Sequence, residues 1–229
     1  MDHYKQDLVR HLSQFITDSR WELFQRVVSM RTRYITVGLE DIYQSQNASA
    51  VLRTCDCTGI QDVHVIENRN EYAINPDVTL GSDQWLTIHY HQEKPHNTAE
   101  AISVLKQKGY RIVATSPRME APTPESFDPE EGKAAFLFGT ELNGLSEKAL
   151  ELADELIRIP MAGFTESYNI SVSAAIILYQ VRKSLERSRA EWRLGEEERT
   201  EILLQWLRTS IHRVELIEQE FQKKYRSDF

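Results

Sequence analysis

The first candidate for chemistry is the segment from Asn47 to Arg53, which follows a short β-branched run. Asn47 fits the N-cap of a helix, and Arg53 lies about two helical turns farther on. The guanidinium of arginine is a planar fork of N–H donors that can hold a phosphate or a developing oxyanion. Spacing alone favours a simpler interpretation, in which Asn47 caps the helix and Arg53 is an ordinary surface residue.

A second candidate follows the apolar run 134–138, where Gly139 and Glu141 begin a turn-rich stretch. Glycine allows the backbone to approach a ligand closely. The carboxylate of Glu141 could accept a hydrogen bond from a ribose hydroxyl or position Arg53. A turn with a solvated glutamate explains these residues equally well.

The third candidate is the segment from Ile159 to Asn169. Pro160 fixes the exit from a strand, Gly163 gives a flexible link, and Ser167 and Asn169 open a helix. A helix N-terminus of this kind can bind an anion or the carboxylate of a cofactor. Ordinary N-capping by Asn169 is the alternative.

The elements that must position these segments alternate between strands and helices. Short apolar or β-branched runs predict strands over residues 34–39, 62–67, 85–90, 110–115, 134–138 and 155–159. Helical signals predict helices over residues 47–58, 98–108, 146–153 and 169–187. This alternation predicts an α/β fold with a parallel sheet that is covered on both faces. The three candidate segments would then lie at the carboxyl ends of the strands, which is the usual ligand edge of such a sheet.

Helical segments flank this core. Residues 1–30 have helical periodicity, and residues 196–225 predict a long amphipathic helix or a helix pair. The apolar stripe of the second segment consists of Leu203, Leu207, Val214, Ile217 and Phe221. We therefore expect an N-terminal extension over residues 1–30, a core domain over 31–187 and a C-terminal extension over 188–229.

Composition excludes several other classes of protein. The 229 residues are 41% apolar and 27% charged, a composition typical of soluble globular proteins. The N-terminal residues do not have the pattern of a signal peptide, so we expect a cytoplasmic protein. The net charge of −8 argues against non-specific coating of nucleic acid but leaves RNA open as a substrate. Two cysteines, Cys55 and Cys57, form no metal-binding pattern, and the common nucleotide-binding, hydrolase and zinc-protease motifs are missing.

In their order along the chain, the three segments resemble the three motifs of the TrmH-like branch of the SPOUT superfamily. The resemblance extends over about residues 33–185 and includes Gly81–Trp85 and Ile112–Thr115. It implies an α/β domain whose C-terminal segment forms a deep trefoil knot. It also implies a homodimer that transfers the methyl group of S-adenosyl-L-methionine (AdoMet) to a ribose 2′-OH of RNA rather than DNA. Guanosine 18 of the tRNA D-loop is the expected position, because the terminal helices resemble those of the enzymes that modify it.

The same resemblance assigns individual residues. It implies that Arg53 activates the hydroxyl, with Asn47, Glu141, Ser167 and Asn169 as the other motif residues. The AdoMet pocket is expected to use Thr115, Gly139, Ile159, Met161 and Tyr168, largely through their backbone, and no metal is expected. Two positions depart from the family pattern: Gln46 stands where histidine is frequent, and Tyr168 stands where leucine is usual.

Two alternatives remain open from the sequence. The same catalytic core serves enzymes that modify ribosomal RNA or other tRNA positions, and a non-catalytic RNA-binding protein could retain the fold. Basic residues of the extensions could bind tRNA, although solvated helix faces explain them equally well. These residues are Arg10, Arg20, Arg26, Arg31, Arg33, Arg208, Arg213, Lys223, Lys224 and Arg226. Because a guanidinium stays protonated in proteins, we expect Arg53 to hold a phosphate and stabilise an alkoxide rather than to act as a base.

Overall fold

The computed structural model describes residues 3–70, 74–117, 120–140 and 142–227. Its strands are β1 (Ile35–Glu40), β2 (Asp62–Ile66), β3 (Thr87–His91), β4 (Arg111–Thr115), β5 (Ala134–Phe138) and β6 (Glu155–Ile157). The first helices are α1 (His3–Ser13), α2 (Asp18–Met30), α3 (Ser45–Thr58), α4 (Pro76–Thr79) and α5 (Thr98–Gln107). The remaining helices are α6 (Glu147–Leu152), α7 (Ile170–Arg187), α8 (Glu196–Ser210) and α9 (Val214–Ser227). Short 3₁₀ turns cover Ser82–Trp85, Pro124–Ser126 and Pro129–Glu131.

The chain divides into two compact units, of which the larger is Thr32–Trp192. Its strands form a six-stranded sheet in the order β3-β2-β1-β5-β4-β6, with parallel pairing throughout. In the central strand β1, Val37 lies beside Val63 of β2 on one side and Phe136 of β5 on the other. The predicted α/β class with a parallel sheet is confirmed.

Helices cover both faces of this sheet. One face packs against α3 and α7 through a large apolar cluster that includes Val37, Leu52, Phe136 and Leu178. The opposite face packs against α5 and α6 through a smaller cluster that includes Leu105 and Leu137. Strands buried on both faces are apolar at nearly every position, which is why β5 reads Ala-Ala-Phe-Leu-Phe.

Several boundaries differ from the predictions. Helix α3 begins at Ser45 with Gln44 as its N-cap, so the prediction that Asn47 is the N-cap is wrong. Asn47 lies in the first turn instead, where its side chain is available for contacts beyond the helix. The strand predicted over 85–90 begins only at Thr87, because Trp85 ends a 3₁₀ turn. Strand β6 ends at Ile157 because the amide of Arg158 donates to Pro122 O rather than to a neighbouring strand.

The second unit is formed by Met1–Arg31 and Arg193–Phe229. The helical prediction for residues 1–30 resolves into α1 and α2, because the Thr17 hydroxyl accepts from the amide of Arg20 and caps a new helix. The C-terminal segment is the helix pair α8 and α9, and Arg213 has a left-handed φ of 53° in the connection between them. In the described part of the chain, no helix combines the length and apolar character needed to span a membrane.

The side chain of Arg31 is buried, although the sequence predicted it to be an exposed residue of the extensions. Arg31 is only 1% exposed, and its guanidinium lies 5.4 Å from the ring centroid of buried Trp206. This cation–π packing contributes to the core of the terminal unit. Arg31 therefore belongs neither to an exposed basic footprint nor to a solvated helix face, the two interpretations that the sequence left open.

Candidate active site

A pocket of about 240 Å³ lies at the carboxyl ends of β4, β5 and β6. Its walls come from the segments that follow these strands and from the start of α7. The pocket contains all five residues that the sequence assigned to a cofactor, together with Ser167. These lining residues are Thr115, Gly139, Ile159, Met161, Ser167 and Tyr168. Ends of parallel strands leave backbone groups free of the sheet ladder, so a pocket there can offer both donors and acceptors.

The loop after β5 forms one wall of this pocket. Thr140 and Gly144 exchange backbone hydrogen bonds of 3.0 and 2.9 Å, which closes a tight turn. A Cβ atom on Gly139 would lie 2.2 Å from the carbonyl carbon and oxygen of Gly144. Only glycine fits at position 139, because the contact is with backbone that cannot move away cheaply. The residue type at Gly139 thus fixes the shape of the wall.

Apolar side chains form another part of the lining. Ile157 ends β6, Ile159 and Met161 lie in the segment that follows it, and Leu142 and Tyr168 are exposed. Aliphatic walls combined with backbone polar groups suit a flat heteroaromatic ring whose edges need hydrogen bonds. The hydroxyl of Thr115 does not offer its proton to a ligand, because it donates to Leu137 O at 2.8 Å.

Two asparagines connect the first and third candidate segments. Asn169 is the N-cap of α7 and accepts from the amide of Ser171 at 2.9 Å. Its Nδ2 donates to Oδ1 of Asn47 at 3.0 Å, and Nδ2 of Asn47 donates to Oε1 of Gln44 at 3.0 Å. This series of hydrogen bonds holds the start of α3 against the start of α7. The structure thus brings Asn47 and Asn169 together directly.

Arg53 and Glu141 stand apart from this arrangement. Arg53 is exposed on α3, does not line the pocket, and makes no hydrogen bond or ion pair with the described residues. An exposed guanidinium is available for an anionic partner from outside the chain. Glu141 lies outside the described residues, so its predicted contact with Arg53 remains a prediction.

Sequence reasoning missed Arg158 as a residue of the pocket. Arg158 lines the cavity, and its Nε is buried without a hydrogen-bond partner in the described residues. A guanidinium in the lining of a pocket favours an anionic group there. The only signal in the sequence was a basic residue directly before the strand exit at Ile159.

A second omission is Glu40, the last residue of β1. Its side chain is only 2% exposed and accepts hydrogen bonds from Ser146, which follows the loop of the pocket wall. An acidic residue at a strand end is normally expected in solvent, so its type gave no indication of this role. Within the described ranges, no group of His, Cys, Asp and Glu is arranged to hold a metal ion.

Comparison with known proteins gives a consistent result. The model of the SpoU rRNA Methylase family matches residues 34–179. The chain is 45% identical to the tRNA (guanosine(18)-2′-O)-methyltransferase of Borreliella burgdorferi, over 90% of this chain and 93% of that protein.

Solved structures show the same fold. The TrmH/SpoU tRNA modifying enzyme of Aquifex aeolicus superposes with a TM-score of 0.75 at 29% identity, covering 86% of this chain and 98% of the other. An AdoMet-bound rRNA methyltransferase from Sinorhizobium meliloti gives a TM-score of 0.59 at 24% identity, with 68% and 58% coverage. The second likeness concerns the fold alone.

Proposed function

Because this chain belongs to the SpoU methylase family, we propose that it transfers a methyl group from AdoMet to the ribose 2′-OH of guanosine 18 in the tRNA D-loop. The observation that carries the proposal is the joining of two motifs by the Asn47–Asn169 hydrogen bond beside a pocket at the strand ends. The identity of 45% over nearly the full length of a guanosine-18 enzyme supports the choice of position.

The pocket fits AdoMet by the chemistry of its lining. Backbone groups of residues 139–140 and 142–145 offer donors and acceptors for the edges of an adenine ring, and Ile157 and Ile159 offer apolar contacts for its faces. Arg158 lines the pocket, and a guanidinium there suits the methionine carboxylate. Thr115, Gly139, Met161 and Tyr168 would complete the binding site. When bound, AdoMet supplies an electrophilic methyl group on a sulfonium.

The chain's own residues would bind and polarise the RNA. We assign two roles to Arg53: it binds the target phosphate, and it stabilises the negative charge that develops on the 2′-oxygen. Its guanidinium is suited to both because it is exposed and stays protonated. The proton then passes to the RNA phosphate or to water. Ser167 at the pocket wall and Glu141 in the loop are assigned to the ribose, whereas Asn47 and Asn169 hold the two helices in register.

The homodimer expected from the family forms part of this proposal. Helix α7 carries an exposed apolar stripe of Val172, Ala175 and Tyr179, spaced three or four residues apart. Exposed apolar side chains at helical spacing are typical of a helix face that packs against another subunit. The stripe runs along the helix that Asn169 begins, so an interface there would lie near the site.

Three further expectations are also part of the proposal. The deep trefoil knot would lie within residues 139–187. In this range the segments after β5 and β6 line one pocket, and α7 then packs against α3. The backbone trace in a crystal structure would test the knot. Cys55 and Cys57 form no disulfide in the described part of the chain, which fits the reducing cytoplasm. The division into an extension over 1–30, a catalytic domain over 31–187 and an extension over 188–229 is retained as a functional assignment.

Position-resolved mass spectrometry tests the proposal. The purified protein is incubated with trideuteromethyl AdoMet and a tRNA transcript, and the digested RNA is sequenced by mass. We expect one labelled methyl group on the ribose of guanosine 18. A transcript with 2′-deoxyguanosine at that position should remain unlabelled.

Any other result of these measurements would favour a different substrate or function. Label at another tRNA position would contradict the choice of guanosine 18. Label only on a ribosomal RNA transcript would replace tRNA as the substrate. Calorimetry that detects no AdoMet binding would favour a non-catalytic RNA-binding protein.

A further inference from the structure

The side chain of Glu40 connects the central strand to the loop of the pocket wall. Oε2 of Glu40 accepts from the amide of Ser146 at 2.8 Å, and Oε1 accepts from the hydroxyl of Ser146 at 2.7 Å. Oε1 also accepts from the hydroxyl of Thr98 at 2.5 Å. Among the described residues, no basic side chain pairs with Glu40, so hydroxyl and amide donors alone satisfy its carboxyl group in the interior.

Ser146 fixes the C-terminal end of the pocket loop. Its hydroxyl oxygen accepts from the amide of Ala149 and caps α6, while the same hydroxyl donates to Glu40. Gly139 fixes the other end, where the loop leaves β5 against the backbone of Gly144. Between these two ends, Thr140 and the residues 142–145 line the pocket. The loop is therefore fixed at both ends, and at Ser146 it is fixed by the hydrogen bonds to Glu40.

Thr98 belongs to the same network but lies on its other side. Its Oγ1 accepts from Nδ2 of Asn68, which in turn accepts from the amide of Asn97. The neighbouring Asp41 accepts from the amides of Asn68, Arg69 and Asn70 at 2.8–3.0 Å. None of these partners lines the pocket. A substitution of Thr98 therefore perturbs the same network as a substitution of Ser146, but Thr98 does not line the pocket.

We propose that Glu40 is a positioning residue for methyl transfer, which through Ser146 holds the pocket-lining residues 142–145 in the shape that receives AdoMet. The proposal rests on the proposed function for its ligand, although the hold on the loop is independent of it. A carboxyl group is needed because three donors converge on it. A glutamine would place N–H groups against either the amide of Ser146 or the two hydroxyls.

The test compares Glu40→Gln with Thr98→Val and Ser146→Ala. Glu40→Gln and Ser146→Ala should weaken AdoMet binding by about tenfold in calorimetry, as expected for a lost buried hydrogen bond. Thr98→Val should leave AdoMet binding within about twofold, even where it lowers the melting temperature, because its hydroxyl does not contact the loop. The KM for tRNA should change little in all three variants. Ser146→Ala preserves the test where Glu40→Gln does not fold.

Hydrogen exchange of the unliganded protein separates this proposal from the proposed function. Amides of residues 139–146 should exchange faster in Glu40→Gln than in wild type or Thr98→Val. Equal protection in all variants would overturn the proposal, as would an equal loss of AdoMet affinity in Thr98→Val. A wild-type protein that methylates no RNA would refute the proposed function, and the exchange data would still decide whether Glu40 holds the loop.

Discussion

Nδ2 of Asn169 donates to Oδ1 of Asn47 at 3.0 Å, joining residues that are 122 positions apart in the chain. The same Asn169 caps α7 through its Oδ1, which accepts from the amide and the hydroxyl of Ser171. One side chain therefore begins a helix and fixes that helix against α3. The two roles use different atoms, so they can be separated by substitution.

Asn169→Ser should keep the cap and lose the contact with Asn47. Serine is as good an N-cap as asparagine but is too short to reach across to α3. We expect the free energy of unfolding to fall by about 1 kcal/mol, the value of one net hydrogen bond. The kcat should fall about tenfold or more, because a small displacement of reacting groups is costly. Urea unfolding and single-turnover methylation of tRNA measure the two effects.

The matched variant Asn169→Ala removes the cap as well. It should lose about 1 kcal/mol more than the serine variant without a comparable further loss of kcat. Wild-type turnover in Asn169→Ser would show that the contact with Asn47 does not matter for catalysis.

Arg53→Lys should abolish most of the activity. An ammonium group cannot reproduce the planar fork of the guanidinium, and the loss of one such transition-state contact costs about a hundredfold in kcat. Because Arg53 does not line the pocket, calorimetry should give an unchanged Kd for AdoMet. Arg187→Lys, an exposed substitution at the far end of α7, should behave as wild type in both measurements. Near-normal turnover of Arg53→Lys would refute the assigned role.

Gly139→Ala should damage the pocket wall. The added Cβ would lie 2.2 Å from the backbone of Gly144, so the loop must move, at a cost of about 1–3 kcal/mol. We expect AdoMet binding to weaken by about tenfold or more, since the wall itself is displaced. The control is Gly163→Ala, because a Cβ at that position meets no atom within 4 Å. If calorimetry found equal AdoMet affinities for the two variants, the close contact would not be what shapes the pocket.

Local signals in the sequence were sufficient to predict the strands of the sheet and several helix ends. The apolar run of β5 predicted a strand buried on both faces, and Gly59, with a φ of 77°, ends α3 as predicted. Such features depend on neighbouring residues and are visible in a short window. The resemblance to known motifs supplied the residues that line the pocket, which no periodicity could have indicated.

Long-range contacts account for the features that the sequence did not predict. Asn47 was expected to cap its own helix, but its amide is used in a contact with Asn169. Glu40 and Arg31 are charged residue types that are normally exposed, yet both are buried by partners distant in sequence, Ser146 and Trp206. A pattern of residue types cannot indicate these partners, because burial of a charge depends on which donors or rings the fold brings to it.

The histidines of β2 and β3 predict a pH dependence of stability. His64 is 2% exposed, its ring stacks on His89 at 4.5 Å, and its Nδ1 lies 3.0 Å from Nε2 of His91. Burial, followed by the positive charges of His89, His91 and Lys108, lowers the pKa of His64 to about 3, while Asp62 opposes the shift. Burial also lowers the pKa of His91.

The free energy of unfolding should therefore decrease as the pH falls from 7 to 5. In this range the unfolded chain binds a proton at His64, near its ordinary pKa of 6.5, whereas the folded chain does not. The loss from His64 alone is about 2 kcal/mol at pH 5. Urea unfolding of wild type and His64→Gln at pH 7, 6 and 5 measures it, and the variant should show a shallower dependence on pH. Parallel curves for the two proteins would mean that His64 binds a proton as readily in the folded chain as in the unfolded chain, contrary to its burial.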